Sequence, residues 1–176
     1  LISQDTTMYG IDLRMKDGLT RLLKSLAGIK GIEWLRLLYC YPTFINSDLI
    51  DVLRDEDKVC KYLDLPLQHT HDFMLKHMKR QETEKQVRNM LDELRGKIPG
   101  IALRTTFITG FPGEKEEHFR HMAGFLKETE FDHVGIFVYS HEEGTAAYDY
   151  SNRVPKKVAE QRRDEGEHDH AGVAGG

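Results

Sequence analysis

Hydrophobic residues change period along this chain, and the changes predict alternating strands and helices. Residues 34–39 (WLRLLY), 61–68 (KYLDLPLQ), 101–109 (IALRTTFIT) and 133–139 (HVGIFVY) alternate apolar and other side chains, or run apolar, as strands do. Residues 1–4 (LISQ) read as the tail of a further strand. Between these segments apolar residues recur at helical spacing: Leu19, Leu22, Leu23, Leu26 and Ile29; Leu49, Ile50 and Leu53; Phe73, Met74 and Met78; Val87, Met90, Leu91 and Leu94; Phe119, Met122 and Leu126. Asn46 or Ser47 would cap the second of these helices, and Thr83 with Gln86 matches a capping box before the fourth. The order β-α-β-α-β-α-β-α-β, with crossovers long enough to be right-handed, predicts an α/β fold with parallel strands. After Glu142 the pattern weakens. A charged helix is expected from Pro155 to Asp164. The last eleven residues, 166–176, read as a linker, an expression remnant or a piece of another domain.

The parity of the strands adds a second prediction. One face carries Leu35, Leu37 and Tyr39; Leu63, Leu65 and Leu67; Leu103 and Phe107; Val134, Ile136 and Val138. That is the face a layer of helices would cover. The other face carries Arg36, Asp64, Gln68, Arg104, Phe137 and Tyr139. Three charges in mid-strand are costly beneath a second helix layer but tolerable in the interior of a closed or nearly closed barrel. There Arg36, Asp64 and Arg104 either pair with one another and fix the register or reach a polar ligand. Arg104 is read as ligand-facing and Asp64 as its support.

The strand 101–109 breaks at Gly110, Phe111, Pro112 and Gly113 and restarts as an acidic helical turn. A strand ending in such a turn places backbone N–H groups at the carboxyl end of a parallel sheet, where α/β folds put ligands. It is not a phosphate loop, because Gly113, Glu114 and Lys115 lack the Gly-Lys-Ser/Thr ending and put an acid where a phosphate needs a donor. Gln4, Asp5 and His69 lie at other strand ends. His69 could be a base, a metal ligand or a hydrogen-bonded loop residue. His71 and His77 read as surface residues, and His168 and His170 as part of an unstructured acidic tail.

With 176 residues, net charge −4 and a pI of 6.1, the chain is long enough for a real core and carries no basic sheath for nucleic acid. Cys40 and Cys60 form neither a disulfide framework nor a metal-ligand pattern, which points to a reducing compartment. No apolar run approaches a membrane span. No serine triad, zinc motif or carboxylate pair can be assembled, so no catalytic residue and no metal ligand is named.

Four strand-end phrases together are more specific: ISQDTTMYG (2–10), LPLQHTHDFMLKHMKR (65–80), LRTTFITGFPGEKEEHF (103–119) and VYSHEEGTAAY (138–148). They resemble the radical S-adenosylmethionine methylthiotransferases. The resemblance runs from Ile2 to Glu165 and implies an incomplete (βα)6 TIM-like barrel, here strands two to six over residues 1–165, with the first strand upstream. It implies S-adenosylmethionine as cofactor, with Gly110, Phe111, Pro112 and Gly113 supporting the adenine. Gln68 and Arg104 would face its polar groups, and Phe137 and Tyr139 would line the last strand. Gln4, Asp5 and His69 would lie at the rim, near substrate. The phrases at Gln4–Asp5 and Gln68–His69 resemble the branch that modifies an aspartate of a small-subunit ribosomal protein. The alternatives are the tRNA-modifying branch and a non-catalytic scaffold. The resemblance further implies two [4Fe–4S] clusters, an electron donor to reduce them, cytoplasmic residence, and nucleic-acid contact through the ribosome or in the tRNA alternative. The cysteine triplets for both clusters are absent from these 176 residues, so the chain is expected to be inactive by itself, and residues 166–176 could be scraps of the family's C-terminal β-domain.

Overall fold

In a computed structural model, residues 1–174 are described; the last two residues of the expected tail lie outside the described residues. The elements are α1 (Gly18–Ala27), α2 (Ser47–Asp55), β1 (Tyr62–Gln68), α3 (Asp72–His77), α4 (Glu84–Lys97), β2 (Ala102–Thr109), α5 (Glu116–Thr129), β3 (His133–Val138) and α6 (Lys156–Ala174). The sheet has the order β1-β2-β3 and is parallel and unclosed, as an incomplete barrel requires. The chain divides into two compact units, Leu1–Pro66 with Lys85–Arg104, and Leu67–Glu84 with Thr105–Gly176.

In the first unit, α2 starts where the Asn46 side chain accepts the Leu49 N–H at 2.9 Å, relieving one of the helix's free donors. Its buried face of Leu49, Ile50 and Leu53 packs toward α1, which buries Leu19 and Leu23. Ile29, expected on that face, lies beyond the helix end at Ala27 and is exposed. In the second unit, Phe119, Met122 and Leu126 of α5 are buried as the spacing predicts. Phe73 is not: Met74 and Leu75 form the buried face of α3, and the Phe73 ring lies outside, stacked on His77 and His118.

The parity prediction agrees with the structure on β1 and β2 but fails at Tyr39, which is expected under the helix layer and is 44% exposed, and Val134 and Val138 of β3 are only half-buried. Leu63, Leu65, Leu67, Leu103 and Phe107 have no exposed surface, and β2 alternates strictly between half-buried and buried residues. Arg104, Thr106 and Ile108 occupy the half-buried positions.

Two of the five expected strands are not regular strands. Leu35 makes a single parallel bridge to Val59, donating its N–H to the Lys58 carbonyl at 2.7 Å and accepting from Cys60 N–H at 2.9 Å. Leu1 pairs similarly with the same segment: its amino group donates to Arg36 O, and its carbonyl accepts from Leu38 N–H. The ladder stops because Tyr39 sits at φ 56° and donates its N–H to the Asp64 carboxylate at 3.1 Å rather than to a neighbouring carbonyl. Thr6 Oγ1 likewise takes the Leu38 carbonyl at 2.6 Å. The segments occupy strand positions, but side chains replace part of the backbone pairing.

Helix α6 continues ten residues past Asp164, so residues 166–174 are helical instead of an irregular tail. It packs on β3 and α5. At Gly166 a Cβ would approach Ile136 Cδ1 to 2.6 Å, so glycine lets the helix backbone lie close to the strand.

Candidate functional site

In the first unit, the polar strand face converges on Asp64, which is 1% exposed. Arg104 Nη1 donates to Asp64 Oδ1 at 2.9 Å, and Tyr39 N–H donates to Oδ2. Arg36 lies over the Tyr62 ring, 4.8 Å from its centroid, and is exposed. Arg104 keeps 38% of its side chain in solvent, so its remaining N–H groups are free to meet a ligand while one holds Asp64. Cys40 lies beside this carboxylate. Burial, then Asp64 and Asp5, push its thiol up to about 12, which keeps it protonated and inert. Gln4 is exposed, and Asp5 accepts from the N–H and hydroxyl of Thr7. Asp5 also lines a cavity of about 570 Å³ walled by Ile2, Thr6, Tyr9 and Leu13.

In the second unit, β1 ends at Gln68 with φ 68°, a conformation costly for a residue with a side chain. Its Oε1 is buried without a hydrogen-bond partner. Strain and an unpartnered acceptor at the carboxyl end of a barrel strand fit a residue that awaits a donor from a ligand. The next residue corrects an expectation. His69 is 1% exposed and does not stand in solvent at the rim. Its Nδ1 accepts the N–H groups of Thr70 (2.9 Å) and His71 (3.1 Å), which leaves the proton on Nε2. Burial lowers its pKa and the nearby Glu114 partly restores it, so the ring is neutral at physiological pH.

The turn after β2 is also built differently from an open anion nest. Gly110 N–H donates to Glu114 Oε2 at 2.5 Å, and Gly113 N–H donates to the Asn152 carbonyl at 2.6 Å. Glu114 therefore occupies the place that an anion would take, in agreement with the exclusion of a phosphate loop. The turn offers apolar surface instead. Phe111 and Pro112 are buried, and the Phe111 ring packs edge-on against Tyr139 at 5.1 Å and against Tyr150 at 6.1 Å. Tyr139 Oη is buried with no partner. Phe137 is 57% exposed on the polar strand face. A cavity of about 340 Å³ is lined by Gly110, Pro112, Tyr139, Ser140 and His141, with Arg153 and Lys156 on its other side.

His71 and His77 are half-buried members of a ring cluster and not simple surface residues. His71 caps α3 and packs against His118 at 4.6 Å, while His77 packs against Tyr150 at 4.5 Å. Sequence reading meets Glu114 only as the acid that excludes a phosphate loop, and passes over Asn152 and Arg162 as members of this region. Glu114 is discoverable as the acid directly after the turn; nothing in the charged pattern of α6 singles out Arg162.

The residues fit S-adenosylmethionine better than they fit a metal centre. Within the second unit Gln68 Oε1 and Tyr139 Oη have no hydrogen-bond partner among the described residues, and the turn supplies an apolar wall. Among the described residues no group of three His, Cys, Asp or Glu side chains is placed to hold a metal, and neither cysteine has a second cysteine near it in sequence. No donor set among the described residues fits a [4Fe–4S] cluster. No helix among the described residues is long and apolar enough to cross a membrane.

The chain is 51% identical over 162 residues to the ribosomal protein uS12 methylthiotransferase RimO of Geotalea uraniireducens, covering 92% of the chain and 36% of that protein. It is 49% identical to RimO of Desulfitobacterium hafniense, covering 94% of the chain and 37% of the relative. The chain thus spans little more than a third of these relatives. Among solved structures it superposes on the radical SAM enzyme coproporphyrinogen III oxidase (HemN) of Escherichia coli with a TM-score of 0.70 at 18% identity, over 89% of the chain and 37% of HemN. Elp3 of Methanocaldococcus infernus gives 0.55 at 16% identity, over 90% of the chain and 36% of Elp3. Both are likenesses of fold. Residues 4–126 match the Radical SAM superfamily, and with an α/β sheet of the same architecture the chain belongs to that superfamily.

Proposed function

We propose that this chain is the barrel portion of a cytoplasmic methylthiotransferase that adds a methylthio group to an aspartate of the small-subunit ribosomal protein uS12. The observation that carries the reading is chain-long similarity, 46–51% identity over 92–94% of the chain, to relatives that bear that activity in their names. In the proposed complex S-adenosylmethionine is held by Gln68, Arg104 and the apolar turn of Gly110, Phe111, Pro112 and Gly113, with Phe137 and Tyr139 on the last strand. When bound, the cofactor supplies radical hydrogen abstraction and the methyl group. This chain's residues bind and orient it. Gln68 accepts from its polar groups, Arg104 donates to its carboxylate, and Phe111 and Pro112 exclude water from one side of the adenine. Gln4 and Asp5 are proposed to meet the substrate. The ligands of two [4Fe–4S] clusters, and contacts with an electron donor and with ribosomal RNA, lie outside these residues in this reading.

The test is mass spectrometry of uS12 after incubation with the full-length protein, reductant and S-adenosylmethionine. The expected result is one methylthio group in place of hydrogen on a single aspartate. Modification of tRNA with uS12 untouched would reject the substrate assignment.

A further inference from the structure

Glu114 is a buried charge of the second unit that is committed to several partners. Its side chain has no exposed surface, and it lies at the point where the turn after β2, the end of β1 and helix α6 meet. Oε2 accepts from Gly110 N–H at 2.5 Å and from Arg162 Nη1 at 3.0 Å. Oε1 faces His69 Nε2 at 3.7 Å, too long for a hydrogen bond and too short for a bridging water. Arg162 is itself buried at 7% exposure, and its Nη2 reaches Glu116 Oε2 at 3.2 Å. Thr109 Oγ1 donates to the Ala159 carbonyl at 3.0 Å, so α6 grips the turn from a second residue.

A buried ion pair alone would be a weak argument for anything, because well-packed apolar residues often replace such pairs without loss. The Gly110 bond changes that. A carboxylate accepting a short backbone N–H bond fixes the direction of that peptide plane, and Gly110 at φ 77° begins the turn. An apolar replacement could fill the space but would offer Gly110 no acceptor, and an amide would offer only a neutral oxygen, a weaker acceptor than the carboxylate.

We propose that Glu114 is a positioning residue for the turn of residues 110–113, and that Arg162 of α6 keeps its carboxylate aimed at Gly110. The turn is thereby set by a helix distant from it in sequence. This rests on reading the turn as the support for S-adenosylmethionine. His69, neutral and anchored through Nδ1, is the third wall of the carboxylate's pocket.

The test uses the chain labelled with 15N-glycine and 13C-threonine, because Thr109 and Gly110 form its single Thr-Gly pair. Wild type, Glu114→Gln, Glu114→Asp, Arg162→Gln and the double variant Glu114→Gln/Arg162→Gln are compared by amide spectra and by denaturation midpoint. The expected result is a downfield Gly110 amide proton in wild type that moves upfield in both Glu114 variants, more than any glycine outside the turn. Arg162→Gln should lower the midpoint by leaving the buried carboxylate without its cation. The double variant should recover the midpoint and leave Gly110 displaced. Glu114→Asp retains the charge and withdraws the acceptor by one methylene, so it reads the bond if Glu114→Gln does not fold. A Gly110 amide unmoved by both Glu114 variants, or one restored together with the midpoint in the double variant, would overturn the proposal and leave an ordinary ion pair. Calorimetric titration of the full-length, cluster-loaded protein with S-adenosylmethionine, with and without Glu114→Asp, tests the underlying reading separately. If the two affinities are equal, the turn does not support the cofactor, while the apo spectra still decide the role of Glu114.

Discussion

Replacing Arg104 with leucine separates its two roles. Arg104 donates to Asp64 at 2.9 Å, and Asp64 is 1% exposed, so the substitution leaves a buried carboxylate with Tyr39 N–H as its remaining hydrogen bond in the site. Breaking a fully buried pair costs about 3–5 kcal/mol. Arg104 keeps 38% of its side chain in water, so the loss here is nearer the roughly 1.5–3 kcal/mol of a charge-assisted hydrogen bond. For a domain of this size that lowers the thermal midpoint by about 4–10 °C. Adding Asp64→Asn removes the uncompensated charge and should recover at least half of the loss. If Arg104 also holds S-adenosylmethionine, affinity falls by roughly 10- to 150-fold and the double variant does not restore it. Calorimetric titration of the full-length, cluster-loaded protein, beside thermal denaturation of the same samples, reads both quantities. An unchanged midpoint in Arg104→Leu would refute the pairing of Arg104 with Asp64. Unchanged affinity with a lowered midpoint would leave Arg104 as structural support.

Other consequences are as direct. His69 has a folded pKa below its ordinary value, chiefly through burial, so the unfolded chain takes up the proton first as pH falls; stability is complete above about pH 6.5 and declines below it. His118 shifts in the same direction, so urea midpoints between about pH 7.5 and 5.5 should fall with acidity, and a His69→Gln variant should flatten that slope; a midpoint rising on acidification would contradict the assignment. Cys40, buried and with its thiol pushed up to about 12, should resist a thiol-exchange reagent in the native chain while the half-buried Cys60 reacts; two equally fast thiols would show that Cys40 is not sealed. Gly110→Ala should destabilise the chain by more than the roughly 1–3 kcal/mol of a strained φ, because its Cβ would also run into that of Ala159; adding Ala159→Gly should return the excess and leave the strain. Equal stability of Gly110→Ala and wild type would mean that the turn is not packed against α6.

What the sequence made legible was whatever a short period encodes. The leucines at 63, 65, 67 and 103 declared one strand face, and the charges opposite them declared the other, because a sheet covered by helices tolerates polar groups on only one side. The turn at residues 110–113 was legible through glycine and proline. The two edge segments misled because their hydrophobicity is that of strands while their pairing is decided elsewhere. Asp64 accepts from Tyr39 N–H, and Thr6 binds the Leu38 carbonyl, so polar side chains from other parts of the chain interrupt the ladder at residues with strand composition.

The same asymmetry explains why the roles of Glu114 and Arg162 escape a reading of the sequence. A carboxylate after a Gly-Phe-Pro-Gly turn looks in sequence like an ordinary first-turn acid favoured by the helix dipole, and an exposed glutamate there would give a few tenths of a kcal/mol to about 1 kcal/mol. Burial changes its meaning, since a charge with no solvent must be met by partners whose positions it then constrains. The partners here are a backbone amide four residues earlier and a guanidinium 48 residues later. No local window contains both. The charged pattern of α6 hides Arg162 among Arg163, Asp164 and Glu165, which are less buried and read as a solvated helix face. One arginine in that run is turned inward because Ala159, one turn earlier, lets α6 lie against Gly110 and brings position 162 over the turn. The small residue and the buried arginine therefore act together, and a bulkier side chain at 159 should displace Arg162 from Glu114 without touching either charge.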